Sequence, residues 1–192
     1  MLYKENLRKG GATVQNKRIR KVADVSLSVA ILCVFSWIAI PTAPPITMQT
    51  LAVFLIALLL PMWEGLLALC VYIALGCFVP VFSGFTTIGA LLASAGAGYV
   101  LGFFFIILLC ALARKISDSL WVHLVFCVIG LLLCYALGAL WYSIAYLSVS
   151  EGALTVLSVC VFPFLLPDAI KLAIAVLVYG RVKKYLAARC VQ

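Results

Sequence analysis

The sequence predicts an all-α membrane protein with six transmembrane helices. Hydrophobic residues make up 67% of its 192 residues, charged residues make up 10%, and the mean hydropathy is +1.25. Soluble domains are roughly 45–50% apolar and about 25% charged, so this composition excludes a water-soluble globular domain, and disorder requires the opposite composition. A spanning helix uses about 20 residues, which allows roughly six spans with short loops in a single domain. Basic residues also cluster at the ends of the apolar segments, as they do in membrane proteins.

Prolines and turn residues separate the first three apolar segments. The three prolines between residues 41 and 47 cannot continue a helix and favour extended backbone, so they end the first span. Pro61 and Trp63 mark the turn after a short second span, and Trp63 suits a membrane interface. A loop rich in Gly and Thr, residues 80–93, ends the third. The predicted spans are Val22–Ile40, Met48–Leu60 and Gly65–Val79.

Three further spans are predicted in the second half of the chain, at about Ser94–Ala113, Leu120–Trp141 and Pro167–Leu186. The basic pair Arg114 and Lys115 follows the first of these, and Pro167 suits the first turn of the last. A second apolar run, Thr155–Leu166, lies between the fifth and sixth spans.

The distribution of Lys and Arg predicts the orientation. Seven of the 14 precede the first span, Arg114 and Lys115 follow the fourth, and four lie near the C-terminus. A cytoplasmic N-terminus and six spans leave the outer loops, residues 41–47, 80–93 and 143–166, without Lys or Arg. A seventh span over Thr155–Leu166 would carry the basic tail outside, so this run is interpreted as a buried or surface-lying part of the outer loop.

These observations predict three parts: a basic cytoplasmic segment at residues 1–21, a six-helix membrane domain at 22–188 and a tail at 189–192. Both termini are expected in the cytoplasm, and the protein is expected to be a multi-pass protein of the cell membrane.

Several function classes find no support in the sequence. The basic residues lie at the ends of apolar segments and have no folded soluble platform for nucleic acid. The eight cysteines form no CxxC pair, lie mostly in apolar runs and are interpreted as packing residues. The lone His123 is interpreted as an interface residue without a partner, and Glu64 as a solvated turn residue. Because no nucleophile–base pair, phosphate loop or metal-ligand spacing is present, an enzyme, a metal site and a bound cofactor are not expected.

Lys171 is the one basic residue assigned to the outer half of the molecule, and it lies three residues after Asp168. In a helix these two side chains share a face. Charged groups within a bilayer normally face a cavity and pair with each other. One interpretation is structural, with Asp168 capping the helix and Lys171 extending to the interface. The other is a polar anchor for a solute, in which the carboxylate accepts ligand N–H groups and the ammonium donates.

Three further residues are candidates for ligand contact. Gln49 opens the short second span directly after the proline-rich loop, where its amide either satisfies the helix start or binds a ligand. Gly98 and Gly102 form a GxxxG pair, which usually indicates helix packing. Small residues such as Gly98 at a helix start could also admit a ligand, and Tyr99 would then offer a flat ring and a hydroxyl.

The chain resembles the BioY proteins, the biotin-specific substrate-binding (S) components of energy-coupling-factor (ECF) transporters. Residues 45–51 are similar to the family's PxTxQTL signature, and residues 164–171 are similar to its FxPxDxxK motif. Further matches occur in the same order, and the resemblance extends over about residues 20–186. These further matches are Tyr72–Gly76, Pro80–Phe82, Gly98-Tyr99 and Gly102-Phe103.

The resemblance implies an ECF S-component bundle that captures biotin from outside. A transmembrane T component and two cytoplasmic ATPases would complete the transporter and hydrolyse ATP, so this chain would need no nucleotide of its own. Asp168 and Lys171 would contact the ureido end of biotin or anchor each other beside it. The residues matched to the rest of the pocket are Gln49, Tyr99, Thr47 and Gly98. No residue is matched to the valerate carboxylate.

Three alternatives remain open at the level of the sequence. The same fold could bind another vitamin. A solitary carrier could move its solute without ATPases, with Asp168 as the proton or ion site. A structural or assembly protein would bind no solute, and no solute would then change its melting temperature.

Overall fold

Long apolar runs form the helices of this chain, and prolines, glycines and serines interrupt them. The computed structural model describes residues 2–117, 119–146 and 153–189. In that part of the chain an antiparallel pair, β1 (Ala39–Ile40) and β2 (Ile46–Thr47), pairs Ala39 with Thr47 and Ile40 with Ile46. The helices are α1 (Leu2–Trp37), α2 (Gln49–Leu59), α3 (Met62–Leu75), α4 (Ile88–Leu92), α5 (Ala97–Ile116), α6 (Leu120–Tyr146), α7 (Ala153–Cys160) and α8 (Phe162–Arg189).

The predicted fold class, an all-α membrane protein, is confirmed. Three helical stretches are long and apolar enough to cross a membrane by length and composition: Ala97–Ile116, Leu120–Ala145 and Leu154–Lys183. Helices α2 and α3 are apolar but shorter. Helices α1, α2, α3, α5, α6 and α8 correspond in order to the six predicted spans.

Helix α2 lies at the centre of the bundle, where it contacts α1, α5 and α8. Nine of its 11 residues are buried, so it is apolar around most of its circumference rather than along one stripe. At 1.5 Å per residue its length is about 16 Å, roughly half the thickness of a bilayer's hydrocarbon core. The short second span predicted from the sequence is therefore a buried core helix.

The first predicted span ended three residues too late. Helix α1 ends at Trp37, and the next residues form β1, which pairs with β2 across the proline-rich loop. The backbone N–H of Met48 donates to the carbonyl of Ile38 over 2.9 Å and closes this hairpin. At its other end α1 begins at Leu2, so the basic residues before Val22 continue the same helix.

The last predicted span began too late. Helix α8 begins at Phe162 and carries Pro167 in its interior rather than in its first turn. A proline there removes one backbone donor, which would have met the carbonyl of Pro163. The run at Thr155–Leu166, interpreted as a buried or surface-lying segment, contains all but the first two residues of α7, a turn at Val161 and the start of α8.

The loop of residues 80–93 is held against the bundle by its backbone. An isolated bridge joins Phe82 to Thr86, and Gly84 adopts a φ of +72° inside it. The hydroxyls of Ser36 and Tyr72 both donate to the carbonyl of Val81, over 2.9 and 3.2 Å. Helices α1 and α3 thereby hold Val81, which lies just before this turn.

Helices α5 and α6 pack most closely, because glycine lies at their contact. A Cβ on Gly102 would lie 2.6 Å from the Cα of Cys134, a separation that side chains do not tolerate. The GxxxG pair therefore has the packing role that such pairs usually have.

Two single-residue interpretations were wrong. His123 is fully buried rather than interfacial: its Nδ1 lies 2.8 Å from the Ser119 carbonyl, and its ring lies 5.2 Å from that of Tyr179. Glu64 is not solvated, since its side chain is 12% exposed and lies 3.9 Å from the ammonium of Lys21. The sequence did not indicate the burial of either residue, because Tyr179, which packs on His123, and Lys21, which lies near Glu64, are distant in sequence. Among the described residues, seven cysteines are free thiols and five of these are buried.

Candidate functional site

The candidate site is a cavity at the end of the bundle where α2, α5 and α8 begin. The empty space between its walls amounts to about 570 Å³ when the solvent-filled mouth is included. The walls come from the proline-rich loop, the loop after α3 and five helices, α2, α4, α5, α6 and α8. The lining residues are Pro44, Pro45, Thr47, Gln49, Thr50, Phe82, Ser83, Leu91, Gly96, Tyr99, Val100, Phe103, Leu131, Cys134, Tyr135, Phe164 and Asp168.

Asp168 and Lys171 form a buried ion pair at this cavity. Their positions three residues apart on α8 bring Nζ of Lys171 within 2.7 Å of Oδ1 of Asp168. Their side chains are 3% and 6% exposed, respectively. The pair predicted from the i, i+3 spacing is present, and Asp168 is the partner that lines the cavity. The interpretation of Lys171 as extending outward to the interface is wrong, because its ammonium is turned into the bundle.

Tyr135 is a member of the site that sequence reasoning missed. Its hydroxyl donates to Oδ2 of Asp168 over 2.8 Å, so each carboxylate oxygen already accepts one hydrogen bond. A carboxylate has about four acceptor positions in total, which leaves capacity on both oxygens for ligand N–H groups. The network therefore fixes the orientation of Asp168 without saturating it.

Thr47 holds the ion pair from the opposite wall. Its backbone carbonyl accepts a hydrogen bond of 2.6 Å from Nζ of Lys171, which ties α8 to the proline-rich loop. Its hydroxyl accepts a hydrogen bond of 3.3 Å from the backbone N–H of Gln49 at the start of α2. The motif at residues 45–51 thus meets the motif at residues 164–171 through Thr47.

Gln49 lies in the same cavity and is 5% exposed. Among the described residues its side-chain Nε2 has no hydrogen-bond partner. A buried amide donor without a partner costs free energy, and a ligand acceptor in the cavity would satisfy it. The Gln49 amide is therefore a candidate partner for a ligand in the cavity, beside the hydroxyls of Thr50 and Ser83, which also line it.

Tyr99 lines the cavity with its ring. Its hydroxyl donates to the carbonyl of Cys160 over 2.6 Å, and its ring is stacked on that of Phe164 with centroids 5.4 Å apart. The Tyr99 hydroxyl, which was expected to be available to a ligand, is therefore already hydrogen-bonded within the chain. Tyr99 presents its aromatic ring to the cavity instead. The contact also joins α5 to the residue that ends α7.

Gly98 does not line the cavity, and its assignment to the site is corrected. A Cβ at this position would lie 2.5 Å from the carbonyl oxygen of Leu137 and 2.6 Å from Cβ of Trp141. The residue therefore faces α6, away from the cavity that its neighbour Tyr99 lines. Successive helical residues point in directions about 100° apart, which separates the two.

The apolar walls were not assigned from the sequence either. Phe103, Leu131 and Phe164 lie on three different helices and meet only in the folded bundle. Apolar residues occur throughout this chain, so no local signal distinguishes these three. The cavity as a whole is largely apolar, and the polar side chains among its described lining residues are one carboxylate, one amide and several hydroxyls.

Comparison with known proteins assigns the chain to a family. Residues 8–188 match the model of the BioY family. The biotin transporter BioY of Thermotoga maritima is 32% identical over 168 residues, which cover 86% of this chain and 97% of that protein. The probable biotin transporter BioY of Pyrococcus horikoshii is 30% identical over 168 residues, covering 86% of this chain and 98% of that protein.

A solved structure shares the fold. It is the crystal structure of the S-component for biotin from an ECF-type ABC transporter, with a TM-score of 0.77 and 21% sequence identity. The alignment covers 88% of this chain and 93% of that one. The match extends the similarity from sequence motifs to the arrangement of the helices. On the family match and the two relatives, this chain belongs to the BioY family.

Proposed function

We propose that this chain is the S component of an energy-coupling-factor transporter and that it binds biotin arriving from outside the cell. The observation that carries the proposal is the hydrogen-bonded network of Tyr135, Asp168 and Lys171 in an otherwise apolar cavity. Membership of the BioY family, the biotin transporters among the relatives and the fold shared with a biotin S-component support it.

The polar groups of the cavity match the ureido ring of biotin. That ring presents two N–H donors and one carbonyl acceptor. Asp168 offers free acceptor capacity on a fixed carboxylate, and Gln49 offers an amide donor that lacks a partner among the described residues. In the buried part of the cavity, a ligand lacking these groups would leave polar atoms unsatisfied, which is a strong basis for discrimination.

Lys171 and Tyr135 act on the ligand through Asp168. The ammonium offsets the negative charge of the carboxylate, which would otherwise be costly to bury. The hydroxyl of Tyr135 holds the second oxygen, so the carboxylate keeps one orientation. Both residues are positioning residues, while Asp168 makes the contact.

The apolar part of the cavity suits the remainder of biotin. Phe103, Leu131 and Phe164 provide surface for the sulfur-containing ring and for the methylene chain. The ring of Tyr99, stacked on Phe164, extends this surface. Burial of such groups contributes about 25 cal/mol per Å² of apolar area removed from water.

In the proposed function the chain works with partner proteins. As an S component it would associate with a T component and two cytoplasmic ATPases in the cell membrane, and ATP would be hydrolysed by those ATPases. Both termini of this chain would then lie in the cytoplasm, in agreement with the distribution of its basic residues.

Biotin binding by the purified full chain tests the proposal. Isothermal titration in detergent is expected to show saturable binding, weakened about 10- to 150-fold by Asp168→Asn, because hydrogen bonds to a charged group contribute about 1.5–3 kcal/mol. Ser158→Ala serves as the matched control, since that exposed hydroxyl bonds only locally to Thr155 among the described contacts. It is expected to leave the affinity unchanged.

A double variant guards against misfolding in this test. Asp168→Asn alone leaves the buried ammonium of Lys171 without its carboxylate, which is destabilising. Asp168→Asn combined with Lys171→Met removes both charges and is expected to fold but to bind biotin weakly. If both variants keep the affinity for biotin, Asp168 does not contact the ligand. If the unaltered chain does not bind biotin, biotin is not its ligand. A competition panel of other vitamins separates biotin from a different solute on the same fold.

A further inference from the structure

The cavity has a means of recognising the ureido end of biotin, but no cation is available for the other end. Between Lys21 and Arg114 the sequence contains no Lys or Arg, and between Lys115 and Arg181 it contains only Lys171. These two stretches supply every lining residue of the cavity. Lys171 is therefore the one Lys or Arg that could meet an anionic group of the ligand there.

The ammonium of Lys171 is already engaged by groups of the protein itself. Its ammonium donates to the Thr47 carbonyl over 2.6 Å and to Asp168 Oδ1 over 2.7 Å, and its side chain is 6% exposed. Residue 171 is absent from the described lining of the cavity. Moving it to a ligand carboxylate would leave Asp168 as an unpaired buried charge, which is costly.

The start of α5 does not replace the missing cation. Gly96, which lines the cavity at this helix start, donates its backbone N–H to the Ser94 hydroxyl over 3.2 Å. The N–H of Tyr99 donates to the Gly96 carbonyl over 3.2 Å. With these donors engaged within the chain, the helix start contributes its partial charge, which favours an anion by only about two- to fivefold.

The other side-chain donors of the lining, an amide and several hydroxyls, are neutral. Gln49 Nε2 is buried in the cavity without a partner among the described residues, and an amide N–H bonds a carbonyl oxygen without requiring charge on it. Half-buried residues such as Ser83 and Leu91 lie on the more exposed part of the lining, where water can solvate a carboxylate.

We propose that this site recognises the ureido end of biotin and not the charge of its carboxylate, so that it binds biotin and biotin carboxamide with similar affinity. The inference rests on the proposed function and deepens it. The ligand class is a ureido-containing molecule with an apolar body, whose tail is either a free acid or an amide.

Direct titration of the purified full chain with biotin and with biotin carboxamide at neutral pH tests the inference. The carboxamide replaces the carboxylate and changes nothing else in the ligand. The two dissociation constants are expected to agree within about fivefold. If the chain binds biotin but binds the carboxamide tenfold or more weakly than biotin, this inference is overturned and the proposed function stands. Binding of neither ligand would overturn both.

A cation introduced at the more exposed part of the lining provides the matched variant. Ser83→Arg adds a cation beside the cavity, and Ser83→Gln adds a neutral side chain with polar atoms at the same place. Ser83→Arg is expected to bind biotin at least fivefold more tightly than the carboxamide, whereas Ser83→Gln keeps the two affinities similar. If the unaltered chain or Ser83→Gln already binds the free acid more tightly than the carboxamide, the inference is contradicted.

Discussion

The hydroxyl of Tyr135 reaches the site through one hydrogen bond, of 2.8 Å, to Oδ2 of Asp168. Tyr135 is 3% exposed and lies in the second half of α6, whereas the carboxylate that it holds lies on α8. A single oxygen atom thus links two helices that are 33 residues apart at this contact. It also keeps one carboxylate oxygen in place while Lys171 holds the other.

Replacing Tyr135 by Phe removes this hydrogen bond and keeps the ring. We expect Tyr135→Phe to weaken biotin binding about 2- to 13-fold, because the net contribution of a typical hydrogen bond is about 0.5–1.5 kcal/mol. Titration calorimetry on the purified variant measures the change. Tyr179→Phe removes a hydroxyl near His123, at the other end of the bundle, and is expected to leave the affinity unchanged. Equal affinities for Tyr135→Phe and the unaltered chain would exclude a positioning role.

The polar members of the site could be predicted where they were rare in their surroundings. Asp168, Lys171 and Gln49 are polar side chains in or beside apolar runs, so each demanded an explanation, and the structure brings all three together. Tyr135 was missed because an aromatic residue in an apolar helix is equally typical of packing or of a membrane interface. Gly98 was assigned wrongly because the sequence does not reveal which face of a helix meets the next one.

At the scale of elements, the contact between α5 and α6 controls how closely two walls of the cavity approach. Gly98 meets the backbone of α6 at Leu137, and Gly138 on α6 lies directly against the ring of Tyr99. Glycines on both helices therefore set the position of Tyr99 in the cavity. The sequence indicated packing through GxxxG, but its partner helix could be identified only in the folded bundle.

Adding a methyl group at this contact is expected to destabilise the bundle. Gly98→Ala would place a Cβ 2.5 Å from the carbonyl oxygen of Leu137, and overpacking of this kind costs about 1–3 kcal/mol. The expected result is a lower Tm in detergent. Gly89→Ala is the matched control: a Cβ at Gly89 has no other described atom within 4 Å, so its Tm is expected to stay unchanged or rise slightly. An unchanged Tm for Gly98→Ala with a large loss of biotin affinity would return Gly98 to the site.

The six apolar helices could be predicted in order, whereas the short helices α4 and α7 were not predicted and some helix ends were misplaced. Apolar runs of about 20 residues define spans because a bilayer requires that length. Pro167 misled the prediction of the α8 start, since proline fits the first turn of a helix and is also tolerated inside a membrane helix when neighbours satisfy the freed carbonyl. The end of α1 was misplaced because residues 38–40 are apolar and yet pair as a strand.

For the whole molecule, the distribution of charge predicts which end faces the cytoplasm. The cavity lies at the end of the bundle where α2, α5 and α8 begin. Arg114 lies at the opposite end, where its guanidinium donates to the carbonyl of Leu58 near the end of α2. An orientation with basic residues inside therefore directs the cavity outwards.

Chemical labelling of intact cells measures this orientation. Ser83→Cys and Ser117→Cys are introduced separately into a chain whose native cysteines are replaced by alanine. We expect a membrane-impermeant maleimide to modify Ser83→Cys in intact cells and Ser117→Cys only after the membrane is opened. Added biotin is also expected to slow the modification of Ser83→Cys, because that residue lines the cavity. Labelling of Ser117→Cys alone in intact cells would reverse the orientation.

The central helix α2 has a consequence for the permeability barrier. Below Gln49 and Thr50, its buried apolar residues fill the space between α1, α5 and α8, so within the described part of the chain the chamber ends as a blind pit. A solute resting on that floor can leave only by the route it entered until helices separate. We expect the same apolar floor to block protons and sodium ions, so that the protein at rest would preserve the membrane potential.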